Sequence, residues 1–299
     1  MFNLIENSID EITTADFFDK IATVAHNCYQ VKDKDHESNI AFVKRLIESR
    51  HLAMVEHYSF TFKVDEETYL GLMNTHNRFY ELRDFYCEKC EKHAYLVNTT
   101  LRALLESYDR KDTAEYELSL VLIRALPSEI QALFEVTEGK SAKFFDLDAH
   151  KDRLPKEIYD EFKKVTYHII TDRGVTHELV RHRIASYAQE STRYCNYTKD
   201  KFSSSLTFMK PLKYDEFKEV YDEFYESCTK AYFALINGGA RPDEARSVLP
   251  NSLKTSIMVT ASLNEWKKIF ELRTDDHAHA DIRRVMNLVK DDMKEKHYL

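Results

Sequence analysis

Arg181-His182-Arg183-Ile184-Ala185-Ser186-Tyr187-Ala188-Gln189-Glu190-Ser191-Thr192-Arg193-Tyr194 is the stretch from which the rest of this sequence is best read. It gathers Arg181, His182, Arg183 and Arg193 around the hydroxyls of Ser186, Ser191 and Thr192 and the carbonyl-bearing side chains of Gln189 and Glu190. Four groups able to carry positive charge, so close in sequence, repel one another on a solvated face. They become compatible around a bound polyanion, because a guanidinium fork meets two phosphate oxygens at once. A basic helix end covered by water or by acidic neighbours is the alternative reading of the same residues.

The composition limits what such a site can serve. A chain of 299 residues is long enough for one large or two small domains with a sizeable core. With 43% hydrophobic and 31% charged residues it reads as a soluble globular protein, and only 5 Gly and 5 Pro point to a helix-rich fold with few tight turns. A net charge of −8 argues against a nucleic-acid partner, so the basic cluster is local and suits a small anion. No apolar run approaches the roughly 18 residues of a membrane span. The start, Met1-Phe2-Asn3-Leu4-Ile5, lacks the pattern of a signal peptide. Five scattered cysteines, an odd number, argue against a disulfide framework and fit a cytoplasmic protein. Cys87-x-x-Cys90-x-x-His93 has no second Cys/His pair at zinc spacing, so no metal site is expected. Without a Gly-rich phosphate loop, phosphates must be held by side chains and helix ends.

Apolar spacing predicts helices within 14–50 and over 214–237, the latter closed by Gly238-Gly239. Further helices are expected from Pro242, over 263–272 and over 276–296. Alternation predicts strands over 55–64 and 165–171, with a helix from about Thr176. Between the strands, residues 66–164 read as mostly helical, with a surface linker over 137–155. No internal repeat is apparent.

Arg181-His182-Arg183, seven residues and then Ser191 resemble the R-H-R-x7-S signature of the flavin-dependent thymidylate synthases, and Arg193-Tyr194 continue the likeness. Four more segments are similar to that family in order. They are His51 to His57, His177-Glu178 leading into Arg181, Ala245 to Pro250, and Val259 to Arg284 with Leu272-Arg273 and Asp276-His277-Ala278. This chain has Ala53 where some members carry a hydroxyl, Ser262 in place of the usual flavin-contacting Asn, and Asn264 in place of the usual Arg. Leu96 to Ala103 faintly echoes the same Asn-x-Arg element.

The resemblance implies an α/β (α+β) fold in which a central antiparallel sheet is flanked by helices. It implies a single domain over 1–299 in which 66–164 is a helical insertion, removable without loss of the flavin site. It further implies a homotetramer with FAD as cofactor, NADPH and methylenetetrahydrofolate as co-substrates, and dUMP as substrate. Arg273 takes the catalytic place beside the uracil ring. The cofactor falls to His51, Arg181, His182, Arg183, Gln189, Ser262, Asn264 and His277. The nucleotide falls to Glu178, Arg181, Gln189, Glu190, Ser191, Thr192, Arg193, Arg246 and Arg273. A catalytically altered flavin- or nucleotide-binding protein on the same scaffold is the alternative.

Overall fold

The computed structural model describes residues 2–31, 35–88, 91–199, 202 and 204–299; Cys90, and so the Cys87-x-x-Cys90-x-x-His93 pattern as a whole, lies outside them. The chain begins with β1 (Phe2–Ile5), β2 (Ser8–Glu11), α1 (Phe17–Tyr29) and α2 (His36–Glu48), then a 3-10 turn (Met54–His57) and β3 (Ser59–Val64). There follow α3 (Glu66–Asn74), β4 (Glu81–Cys87), β5 (Lys92–Thr100), α4 (Leu101–Tyr108), α5 (Ala114–Ile123), α6 (Ser128–Gln131) and β6 (Lys143–Phe144). The C-terminal half holds α7 (Lys156–Phe162), β7 (Lys164–Asp172), α8 (Arg173–Leu179), β8 (Ser186–Gln189) and β9 (Leu206–Met209). It ends with α9 (Lys218–Asn237), α10 (Pro242–Ala245), β10 (Lys254–Ser262), α11 (Leu263–Arg273) and α12 (Ala280–Glu295).

Short polar side chains start these helices by accepting otherwise orphaned backbone N–H groups. Asp16, Asp35, Asp65, Thr100, Thr113, Asp172 and Ser262 each cap the helix that follows. The result is the expected helix-rich α/β fold. One four-stranded antiparallel sheet runs β2-β7-β10-β8, a second runs β4-β5-β3-β6, and β1 pairs with β9 in parallel.

One expectation about the middle of the chain needs correction. Residues 66–164, read as mostly helical, also hold β4, β5 and β6. The partners of β3 are β5 and β6, in a different sheet from β7. The segment is therefore continuous with the core rather than hung upon it. Phe17, Ile21, Val55, Phe60 and Phe62 share one hydrophobic cluster with Leu72, Val97, Leu101, Leu104, Leu122 and Ile130. The strand predicted from residue 55 also begins later, since 54–57 is a 3-10 turn. A second cluster fills the space between one face of the β2-β7-β10-β8 sheet and helices α8, α11 and α12, around the fully buried Trp266.

His57 closes the gap between the two sheets. It is completely buried, its Nδ1 lies 2.7 Å from Thr260 Oγ1, and its Nε2 has no partner. Burial, followed by the Lys20 charge, pushes its pKa down to about 3. A lowered folded-state value means that the unfolded chain takes the proton first as pH falls. Stability from the neutral ring is thus complete above about pH 6.5 and lost down to about pH 3, at about 1.4 kcal/mol per pH unit. The variant His57→Gln should show a shallower fall in urea-unfolding free energy between pH 4 and 6, by about that slope. Equal slopes would mean that His57 protonates as readily in the fold as outside it.

Candidate active site

Helix α8 organises the site. Asp172 Oδ1 accepts from Val175 N at 2.7 Å and fixes the start of the helix. Arg173 stands in its first turn, His177 and Glu178 in its last, and the Arg181–Arg183 loop follows directly.

Glu178 and His182 receive the side chain of Arg273, which ends α11. Arg273 Nε donates to His182 Nε2 at 3.0 Å, Nη1 to Glu178 Oε2 at 3.2 Å, and Nη2 to the Glu178 carbonyl at 3.1 Å. His279 Nδ1 approaches the other Glu178 oxygen at 3.3 Å. Burial, reinforced by the Arg273 charge, lowers the His182 pKa. The geometry agrees: Nε2 accepts, so the ring is neutral with its proton on Nδ1. Arg273 is thus an oriented cation rather than a mobile one, with three acceptors holding its plane.

Beside α8 lies a pocket of about 500 Å³, lined by Arg173, His177, Thr192, Asp243, Arg246 and Asn251 among others. Arg173 N donates to the Asn251 carbonyl at 2.9 Å, which ties α8 to the wall opposite. Nη1 of Arg173 is buried without a partner. The obvious partner for Arg246, Asp243, is taken by Arg241 at 3.1 Å. Among the described residues, no carboxylate pairs with Arg173, Arg181, Arg183 or Arg246. Two guanidinium groups against one carboxylate that Arg241 also engages leave the pocket an excess of positive charge, which favours an anion.

The residues expected from the sequence divide around this geometry. Gln189 and Glu190 point to opposite faces, as neighbours on a strand must. Gln189 Nε2 donates to Thr176 Oγ1 at 2.9 Å and Thr255 Oγ1 at 3.1 Å, on the α8 side. Glu190 is buried on the other side. Its oxygens accept from Tyr197 Oη at 2.8 Å and Lys254 Nζ at 2.7 Å, and these three side chains line a second pocket, of about 840 Å³, on that side. Ser191 N donates to the Cys28 carbonyl at 3.1 Å, and Ser191 Oγ accepts from Arg193 N at 3.4 Å. Thr192 reaches the pocket, while Arg193 lies exposed over the ring of Tyr194. Ser262 Oγ is occupied as the cap of α11, accepting from Glu265 N at 3.1 Å; Asn264 follows, half-buried, on the first turn. His277 is solvent-exposed and turned to Asp275 at 2.8 Å, and His279 makes the Glu178 contact instead. His51 is exposed in the turn after α2, and no hydrogen bond or ion pair joins it to Arg181, His182 or Arg183. Asn98 is buried and donates to Thr61 Oγ1 at 2.8 Å, and Arg102 is paired with Glu56 and Glu106.

Sequence reading passed over Arg173, the pocket face of His177, and His279. The first two sit on α8 at positions that become neighbours of Arg246 only through tertiary packing. The third depends on the turn between α11 and α12, which its spacing does not disclose.

A family model described as "Thymidylate synthase complementing protein" matches residues 159–297. Proteins named flavin-dependent thymidylate synthase are similar in sequence. That of Geobacter sulfurreducens is 37% identical over 40% of this chain and 52% of its own. That of Pyrococcus furiosus is 37% identical over 38% and 47%. The chain spans about half the length of these two relatives. With the Pyrococcus horikoshii protein the match is broader, 38% identical over 52% of this chain and 68% of the relative. Taken with the R-H-R-x7-S loop and the pocket behind it, these matches show that the chain belongs to the flavin-dependent thymidylate synthase family.

Proposed function

We propose that the protein converts dUMP to dTMP, with methylenetetrahydrofolate as carbon donor and NADPH-reduced FAD as hydride source, as a cytoplasmic homotetramer. The observation that carries this reading is a pocket in which Arg173 and Arg246 outnumber the one carboxylate of Asp243, beside the helix α8 whose last turn holds the guanidinium of Arg273. A phosphate dianion is what that pocket lacks. Arg246 and Arg173 supply forked donors, Thr192 a hydroxyl, and His177 a ring nitrogen at the rim. In this reading Arg273 stabilises negative charge that develops on a pyrimidine ring, and its clamp by Glu178 and His182 avoids reorganisation during reaction.

The exposed and unpaired Arg181 and Arg183 fit the pyrophosphate of a dinucleotide cofactor, with His51 as a further ligand. FAD, when bound, supplies the hydride, and the protein contributes binding, orientation and charge. Ser191 has no base beside its hydroxyl, so it binds nucleotide and does not attack it. The capping role of Ser262 favours a second reading, a protein that binds flavin and nucleotide without turnover.

Calorimetry with dUMP tests the pocket. Arg246→Ala should weaken binding about ten- to a hundredfold, the value of a lost charge-assisted hydrogen bond of about 1.5–3 kcal/mol. Unchanged affinity would remove Arg246 from the site. Ser191→Ala should cost about 0.5–1.5 kcal/mol, or about 3 if its partner is charged, and leave turnover measurable. Complete loss of activity in a folded Ser191→Ala protein would make Ser191 a nucleophile after all.

A further inference from the structure

The two four-stranded sheets are built to the same plan. Reading β4-β5-β3-β6 against β8-β10-β7-β2 matches every strand and every direction. The register agrees as well: Ser59 faces Thr100 as Lys164 faces Ser262, and Asn98 faces Glu81 as Thr260 faces Ser186. Asp65, just after β3, caps α3, and Asp172, two residues further along in the shared register at the end of the longer β7, caps α8; Thr100 and Ser262 end the other strands and cap α4 and α11. The side-chain bond from Asn98 Nδ2 to Thr61 Oγ1, 2.8 Å, has its counterpart between Thr260 and Thr166 at 2.7 Å. Helix α5 packs on α3 and α4 as α12 packs on α8 and α11.

The leading segments are exchanged. β2 precedes the first copy in the chain yet pairs with β7 of the second, and β6 precedes the second copy yet pairs with β3 of the first. Even the backbone bond that follows each edge strand is reproduced, Ile12 N to the Thr166 carbonyl and Phe145 N to the Thr61 carbonyl, both 2.9 Å. The helices go with the strands. Val24 of α1 packs on Met258 of β10, and Ile158 and Phe162 of α7 pack on Leu96, the residue of β5 that corresponds to Met258. Each copy thus lays its own strand and helix across the other's sheet, the arrangement of a closed, swapped twofold pair.

We propose that the chain is such a pair fused end to end, in which the N-terminal copy is a diverged duplicate acting as the built-in partner of the copy that holds the site. Only the second copy carries the basic loop and the long excursion over 190–253 that delivers Thr192 and Arg246. In the first copy a loop over 75–80 takes the place of the basic loop, and β5 begins at Lys92, shortly after β4 ends at Cys87, where the excursion would lie. The family match, residues 159–297, falls wholly within the second copy. A second copy of the same unit, supplied in the same chain, is therefore the partner that the face bearing β7 and β10 fits.

The test cuts the full chain without removing any of it. A protease recognition sequence placed after Glu138, in the exposed link between the copies, gives two pieces on cleavage. Reciprocal exchange predicts that the two pieces remain together in equal numbers by native mass spectrometry, in the assembly state of the uncut protein. Urea should then unfold both together, with the emission of the single Trp266 and the helical circular dichroism coinciding at a midpoint that rises with protein concentration. Native Trp266 emission from a C-terminal piece that has lost its partner would overturn the proposal, since each sheet would then be self-sufficient. A circular permutant beginning at Gly139, with Leu299 joined to the N-terminus by a flexible linker, guards against failure of the inserted sequence. It should fold and unfold in one transition; an unfolded permutant, or two separate transitions, would also overturn the proposal.

Discussion

Arg273→Ala should lower dTMP formation by about 10²–10³-fold while the protein stays folded and keeps its flavin. Removing one preorganised donor to charge that develops only in the transition state typically costs about 2.7–4 kcal/mol of barrier. The structure adds a reason to expect the upper part of that range. Glu178 and His182 are arranged around the guanidinium, and its loss leaves a half-buried carboxylate without its nearest cation. The loss should appear in kcat more than in KM, because the contact is to charge made during the reaction. Arg273→Lys should recover little, since a single ammonium cannot meet His182 and Glu178 in the same plane. Turnover within a few-fold of the unaltered protein would take Arg273 out of the mechanism.

Deleting residues 70–160 should abolish folding. The sequence alone suggests the opposite, because every residue of the resemblance to the family's core motifs lies outside that segment. In the structure the deletion strips β3 of both neighbours and uncovers Phe60, Phe62, Val55 and Ile21, all buried against side chains that would be gone. Exposing such residues costs about 1.5–3 kcal/mol each, so four of them approach or exceed the about 5–15 kcal/mol that holds a domain together. Circular dichroism and size-exclusion chromatography of the shortened chain check this. A folded product that binds FAD would return the segment to the status of a decoration.

What the sequence discloses and what it hides follow one division. The basic loop is legible because its chemistry is contiguous, β7 because β-branched and aromatic residues fill most of it, and α8 and α11 because each follows a cap residue, Asp172 or Ser262. The sheet within 66–164 is not. β5 is buried on both faces at Leu96 and Val97, which erases alternation, and β4 carries Glu81, Arg83 and Asp84 as a helix surface would. The duplication is hidden for a related reason. Backbone pairing and caps persist through Thr61 and Thr166, or Asp65 and Asp172, while core positions such as Leu96 and Met258 have exchanged one apolar residue for another. Cores tolerate such exchange when volume and pattern are kept. Contiguity also hides direction: Glu190 lies beside Gln189 in the basic stretch, yet it turns to Tyr197 and Lys254 while Gln189 turns to Thr176 and Thr255.

The central claim is that this chain makes dTMP at the site between Arg246 and Arg273. The most direct measurement incubates the purified protein with dUMP, methylenetetrahydrofolate and NADPH, with and without added FAD, and follows dTMP by chromatography. The expected result is dTMP that depends on flavin and falls by about 10²–10³-fold in Arg273→Ala. Protein that takes up FAD and dUMP yet forms no dTMP would contradict it and leave a binding protein on a synthase scaffold.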